Sequence, residues 1–293
     1  MSSAAHSSLS SCLQRLPVEL AHKILSDAAL LGLAYDRTWA VSLARVSSTV
    51  RHVVEPILHH TMVVTIHNAA MIEALAQDPR TTYVFNLVKR FILTFPPGSP
   101  TFENGHATAP VGFDISHLLI HFTSLESVET PDYILRFIVL VRTVRLRRIA
   151  LRFSPFEDIT KLAPAALSHV THLEGDIPPQ PTDVIPREWV QAILAAVPAL
   201  TCIAFNIAAP DSRSDPPCLG GDINTLLDII RAVLECRTIQ RVVLHLPRKH
   251  ISNHRLRRLL FLGGWGVGNG PRVFTRASDF VRSNGISSFA SVV

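Results

Sequence analysis

Aromatic side chains are scarce in this 293-residue chain, at 7% of the total, and cysteine is scarcer still, with four. A core must therefore be filled by Leu, Ile, Val and Ala, and a 47% hydrophobic content is ample for one. Cys12, Cys202, Cys218 and Cys236 show no C-x-x-C spacing and read as reduced thiols of an intracellular protein. The G-x-S-x-G elbow, the Walker loop and clustered carboxylates are all missing, so catalysis is not indicated and no cofactor is expected. His117 and His121 lie four apart, as metal-binding histidines on a helix must, but position 118 is Leu where the H-E-x-x-H pattern needs Glu. His250 and His254 share the spacing and the defect, so both pairs read as chance among fourteen histidines, and no metal is expected. The glycines at 263, 264, 266, 268 and 270 follow the helical run "RLRRLLFL", and Asn269 stands where a phosphate cradle needs its third glycine. They read as a helix stop and a loop.

Strong charge is missing too. A net charge of +5 permits an acidic partner but is too diffuse to indicate nucleic acid. The two "RLRR" runs, Arg145–Arg148 and Arg255–Arg258, lack the stacking aromatics of nucleic-acid readers. Residues 1–12 are rich in Ser and Ala, without the cationic start and apolar centre of a secretory signal, and read as a disordered tail. Between Trp189 and Pro210 no charged residue occurs, which is length enough for a bilayer span. Yet Val190, Ile193, Leu194 and Val197 form one helical face, Pro198 stops it, and "TCIAFNI" alternates with period two. Helix, turn and strand explain the run, and no membrane span is predicted.

That helix–strand pair recurs. "NLVKRFILTF", "RTVRLRRIALRF", "PALTCIAFNI" and "RTIQRVVLHL" each end in a predicted strand, with weaker ones at "TSLESVE" and "HVTHLEGDI". Helices are predicted between them at Asp132–Val141, Glu157–Leu167, Arg187–Val197 and Ile223–Leu234. Alternating strands and helices imply an α/β fold with parallel pairing. No leucine-rich consensus string is met, but a degenerate leucine-rich-repeat-like solenoid over residues 63–262 is the expected outcome, with a single-sheet α/β sandwich as the alternative. Residues 263–293 are expected to form a Gly-rich loop and tail. Protease cuts are expected in the Pro-, Gly- and Ser-rich connectors, Pro96–Pro110, Pro178–Pro186 and Asp211–Gly221, and in the tails.

The stretch from residue 13 to 60 is organised differently. Leu16, Pro17, Leu20, Ile24 and Leu25 fall at the spacing of one helical face, with Pro17 where a first-turn proline is tolerated. Leu43, Val46, Val50 and Val53 repeat the pattern after a linker from Ser26 to Ala40. His59 and His60 close the second helix, where positive charge is welcome. A helix pair this short cannot bury two apolar faces alone and needs the rest of the chain or another protein as partner. "LPVELAHKIL" followed by "SLARVSSTVRHVVEP" resembles the F-box of F-box-like proteins of mushroom-forming fungi. The resemblance implies a substrate-receptor subunit of a cullin–RING ubiquitin ligase, cytoplasmic or nuclear, whose N-terminal helices pack on a Skp-type adaptor. It assigns Leu16, Pro17, Leu20, Ile24, Val46 and Val50 as adaptor-contacting positions. It also implies a repeat domain holding a protein target, which the strand pattern suggests independently. The alternative is a stand-alone interaction solenoid with no ligase partner.

Strand alternation suggests where a target would sit. Phe91, Leu93 and Phe95 should face the core with Ile149, Leu151 and Phe153, with Ile203, Phe205 and Ile207, and with Val242, Leu244 and Leu246. The opposite face then carries Arg90, Arg148, Arg152 and Arg241. Arginine's planar fork suits carboxylate and phosphate, so an acidic or phosphorylated target segment is expected across these four.

Overall fold

The computed structural model describes residues 16–94, 102–103, 106–107, 116–130, 144–155, 164–176, 186–206, 223–247 and 272–278, together with Leu135, Ile138, Val139, Ile159 and Leu162. Residues up to Met62 and those from Val63 onward form two units.

The first unit holds three helices: α1 (Val18–Tyr35), α2 (Arg37–Leu43) and α3 (Ser48–Leu58). The expected linker from Ser26 to Ala40 is helical almost throughout. The run Ala28-Ala29-Leu30-Leu31 consists of strong helix formers, and nothing in it stops α1 before Tyr35. Asp36 then breaks the helix with extended backbone and starts the next, its carboxylate accepting from the Trp39 N–H at 3.1 Å. Ser47 does the same for α3, its Oγ accepting from the Val50 N–H at 3.2 Å. Gly32 lets α1 and α2 approach closely: a Cβ there would meet the Trp39 ring at 2.6 Å and the Ala40 Cβ at 3.1 Å. The centre of the unit is Ala29, Ala44 and Val54, with Leu43, Val50, Ile57 and Leu58 packed around it. His59 caps α3, but burial lowers its pKa from the ordinary value; Glu55 opposes that and Arg37 adds to it. His59 therefore does not supply the positive charge expected at this helix end.

The chain forms an eight-stranded sheet, all but the first two residues of β1 within the second unit, in the order β1 (Thr61–Thr65), β2 (Arg90–Thr94), β5 (Ser127–Thr130), β6 (Arg148–Pro155), β7 (His172–Asp176), β8 (Cys202–Asn206), β9 (Arg241–Pro247) and β10 (Arg272–Ser278). The seven strands from β2 onward are paired in parallel, each with its neighbour in the sheet. A short antiparallel pair, β3 (Phe102–Glu103) and β4 (His106–Ala107), stands apart. Among the described residues the helices are α4 (Ala69–Gln77), α5 (Tyr83–Asn86), α6 (Ser116–Leu119), α7 (Pro186–Ala196) and α8 (Ile223–Leu234), with a 3₁₀ turn at Pro164–Leu167. Of the two predicted helices around residues 132–141 and 157–167, most lies outside the described residues; Leu135, Ile138 and Ile159 are helical and buried.

Register alignment exposes a repeat. Two positions before each of β2 and β5 to β9 stands a buried apolar residue, namely Val88, Leu125, Leu146, Val170, Leu200 and Ile239. The second residue of each of these six strands follows suit, as Phe91, Val128, Ile149, Leu173, Ile203 and Val242, all essentially inaccessible. The pattern is apolar-x-x-apolar-x-apolar, degenerate at its last position, where Thr130 and Gly175 replace a large side chain. The backbone repeats as well. The carbonyl of Lys89 accepts the N–H groups of both Glu126 and Ser127, Glu126 those of Arg147 and Arg148, and Arg147 those of Thr171 and His172. Thr171 then accepts from Thr201 and Cys202, and Thr201 from Gln240 and Arg241. Each strand start is pinned to the one before it.

Helices cover one face of this sheet. Trp189, Val190 and Ile193 of α7 and Ile229, Ile230 and Val233 of α8 are buried, and the Trp189 ring stacks on Phe205 of β8 at 6.4 Å. Further along, Phe85, Phe91 and Phe122 meet with centroids 5.3 to 6.0 Å apart. The expected core set is buried wherever its side chains are described; Phe95 and Ile207 lie outside the described residues, as do the side chains of Phe153 and Leu246. Two strands of this sheet were missed from the sequence, and β3 and β4 fall within the stretch read as the Pro96–Pro110 connector. β1 was hidden at the end of the helical stretch, and β10 follows the glycines that suggested only a tail, although Val273 and Phe274 suit a strand.

Candidate interaction surfaces

The first surface lies on α1. Ala29 and Gly32 turn inward, so the opposite side of the helix carries Leu20, Ile24, Leu31 and Tyr35, in steps of four, seven and four residues. They stay 45%, 52%, 61% and 88% exposed, respectively. Pro17 is exposed at the N-cap and Leu16 is half-buried. Of the six positions assigned to an adaptor, Leu20 and Ile24 thus share the outer side of α1, with Pro17 exposed just before it. Val46 stands exposed on the turn between α2 and α3. Val50 instead packs against the core of the three-helix unit, because the Ser47 cap fixes the first turn of α3 with that side chain inward. Leu31 and Tyr35 were missed because their helical spacing from Leu20 ran through residues read as linker. Lys23 and Asp27 flank the stripe as a solvent-exposed pair at 3.7 Å, a contact of little energetic weight.

The second surface is the sheet face opposite the helices. Register places Arg90, Ser127, Arg148, His172, Cys202, Arg241 and Arg272 in one row at the strand starts. The next row on the same face holds Ile92, Glu129, Ala150, Glu174, Ala204, Val243 and Phe274. The face is not an open arginine strip. Glu129, Ala150, Glu174 and Ala204 are buried, and so is His245 further along, while Arg148, His172 and Arg241 in the first row keep contact with solvent.

Arg90 reaches Glu129 at 3.0 Å and Arg148 reaches Glu174 at 3.1 Å, each from one strand to the second-row position of the next. The two carboxylates are 3% and 6% exposed, so an unpaired charge there would carry a heavy desolvation cost that each guanidinium offsets. Two of the four expected target-binding arginines therefore already hold a carboxylate. Arg152 lies in β6 with its side chain outside the described residues, and Arg241 is exposed at the start of β9. Sequence reasoning could not find these pairs, because the partners are 39 and 26 residues apart.

His172 stands in its row next to Arg148 and, across Cys202, two strands from Arg241. Burial lowers its pKa from the ordinary value, and Arg148 and Arg241 lower it further, so the ring is neutral near pH 7. Beside it the Cys202 thiol is pushed up by burial, more than Arg241 and Arg148 pull it down, and Glu174 adds to the rise. It is no nucleophile at neutral pH. Cys236 is likewise raised, first by burial; Cys12 and Cys218 lie outside the described residues.

Among the described residues no three His, Cys, Asp or Glu side chains could hold a metal ion. His121 instead sits against the Phe85 ring at 6.1 Å, while His250, His254, the second "RLRR" run and the glycine run lie outside the described residues. A void of about 10 Å³ among Val190, Ile193, Leu200, Ile203, Val233 and Ile239 has no polar lining, and is a packing gap rather than a ligand site. Among the described residues no helix is long and apolar enough to cross a membrane. Set against protein-family models, curated proteins and solved structures, the chain gives no match.

Proposed function

We propose that this chain is an F-box-type substrate receptor of a cullin–RING ubiquitin ligase, with α1 docking a Skp-type adaptor and, through it, a cullin. The second unit is a degenerate leucine-rich-repeat-like solenoid whose sheet face holds a protein target, in the cytoplasm or nucleus. The observation that carries the first half is the outer stripe of α1. Leu20, Ile24, Leu31 and Tyr35 are too large and too contiguous along one helix to be ordinary solvent-facing residues, and contiguous exposed apolar surface marks an interface. The repeat reading is supported by the apolar-x-x-apolar-x-apolar pattern and by the repeated carbonyl pinning, since each unit uses the one before it to complete its core.

The test is co-purification with the adaptor. Replacing Leu20 and Ile24 together by Asp places two carboxylates in the contact, where neither can be buried unpaired without a large penalty. Both residues are exposed, so the variant should remain folded and lose the adaptor. A folded variant that still co-purifies would falsify the F-box assignment. A wild type that never binds the adaptor would leave a stand-alone interaction solenoid.

A further inference from the structure

The outer side of α1 has an order that a second copy can match. Leu20, Ile24, Leu31 and Tyr35 follow one another at four, seven and four residues, the same from either end. Leu20 and Tyr35, like Ile24 and Leu31, therefore lie symmetrically about the peptide joining Asp27 to Ala28. An isologous two-fold contact needs a patch that complements itself when turned end for end. With two α1 helices antiparallel and centred on that peptide, Leu20 of each copy falls opposite Tyr35 of the other, and Ile24 opposite Leu31. Each large exposed side chain of the stripe then has an apolar mate. Ala28, small and half-buried, stands at the centre, where a short side chain lets two helices approach.

The area fits a weak pair. Allowing about 150 Å² for an aliphatic side chain and about 200 Å² for tyrosine, the four exposures leave roughly 400 Å² of apolar surface per copy. The roughly 800 Å² of the pair falls short of the about 1,200–2,000 Å² of a stable interface and belongs with transient contacts. Charge argues against a lipid surface as the occupant. α1 carries Glu19, Lys23 and Asp27, without the Lys- and Arg-rich polar face of a helix that lies on anionic lipid. In the antiparallel pair these flanking charges run Lys23, Asp27, Asp27, Lys23 across the two-fold axis. The two Asp27 carboxylates meet near the axis, each with its own Lys23 at 3.7 Å.

We propose that the outer side of α1 takes the α1 of a second copy, antiparallel, in a transient two-fold dimer made by Leu20, Ile24, Leu31 and Tyr35. The dimer does not depend on the F-box reading. One consequence does rest on it: an adaptor would claim Leu20 and Ile24 as well, so a chain held in the dimer is withheld from the ligase, and adaptor and second copy compete by mass action.

The test is sedimentation of the full chain alone, from about 5 to about 300 μM, where a dissociation constant on the order of 10–100 μM is expected. Leu20→Asp and Tyr35→Asp should each raise it at least about tenfold, and to a similar extent, because the two side chains face each other across the contact. Asp27→Asn should instead lower it about two- to fivefold by removing the like charges at the axis. Under mild oxidation, Asp27→Cys should link two copies through that position, seen by mass spectrometry of the joined peptide. Leu20→Cys should not, since the two positions lie about 20 Å apart along the axis, beyond the reach of a disulfide.

A chain that stays monomeric throughout, a dimer untouched by Leu20→Asp, or cross-linking as efficient at position 20 as at position 27 would each overturn the proposal. Should an aspartate variant fail to fold by circular dichroism, the cross-link at the exposed Asp27 position decides. Where the adaptor binds, adding it should split the dimer, and an adaptor complex that keeps the α1 contact would also overturn the shared face. An adaptor that never binds overturns the F-box reading alone, because the dimer is measured without it.

Discussion

The three-helix unit closes over Ala29, Ala44 and Val54 and leaves Leu20, Ile24, Leu31 and Tyr35 in solvent, whereas the sheet unit buries Phe85, Phe91, Phe122 and Phe205 completely. Each unit has apolar residues in abundance, but they are placed on opposite sides. Apolar burial is worth about 25 cal/mol per Å², so a centre of two alanines and a valine, with its larger neighbours only partly buried, contributes less than one of buried phenylalanines. The sheet unit is thus stabilised mainly from within. The helical unit still exposes much of the area that would stabilise it, and a partner on α1 would add what its own core lacks.

The contrast can be broken by mutation, and the largest effect belongs to the sheet. Phe91 is inaccessible and meets Phe122 at 5.3 Å, so Phe91→Ala should cost about 3–5 kcal/mol, read from urea unfolding followed by far-UV circular dichroism. A loss below about 1 kcal/mol would mean that the aromatic cluster does not organise that core. Next comes Gly32→Ala in the helical unit. The added methyl meets the Trp39 ring at 2.6 and 2.9 Å, and the cost should be about 1–3 kcal/mol unless the ring swings away. Hydrogen exchange should show the loss in α1 and α2 and not in the sheet. Smallest is Leu31→Lys, which removes a large apolar group that touches mostly water and should shift stability by no more than about 0.5 kcal/mol. A melting temperature lowered as much as by the glycine substitution would show that the outer side of α1 is already covered.

Much of the sheet was legible in the sequence. The strands at Arg90–Thr94, Cys202–Asn206 and Arg241–Pro247 announced themselves by period-two alternation, and the helix at Ile223–Leu234 was placed to the residue by its broad apolar face. The repeat was present but hidden. Its anchors, Val88, Leu125, Leu146, Val170, Leu200 and Ile239, are ordinary apolar residues spaced from 21 apart (125 to 146) to 39 apart (200 to 239). Only the strand register shows that they are equivalent. The helical unit was less legible because attention to a short motif turned Ser26–Ala40 into linker, although its composition favours helix. The candidate sites divide the same way. Exposed Leu20 and Ile24 follow from local periodicity, which a sequence displays. The occupation of Arg90 and Arg148 by Glu129 and Glu174 depends on strand pairing, which it does not.

Because neighbours in the sheet from β5 to β10 are also neighbours in the chain, no strand in that run waits for a distant segment to complete its pairing. The closing loops are a few tens of residues, and lengthening one by a factor of two adds only about 0.6 kcal/mol of closure entropy. As the chain leaves the ribosome, each strand from β6 to β9 therefore meets a finished edge with two N–H groups aimed at a waiting carbonyl. The unit can be assembled in the order in which it is made, and insertions between strands are tolerated as long as each new edge remains intact.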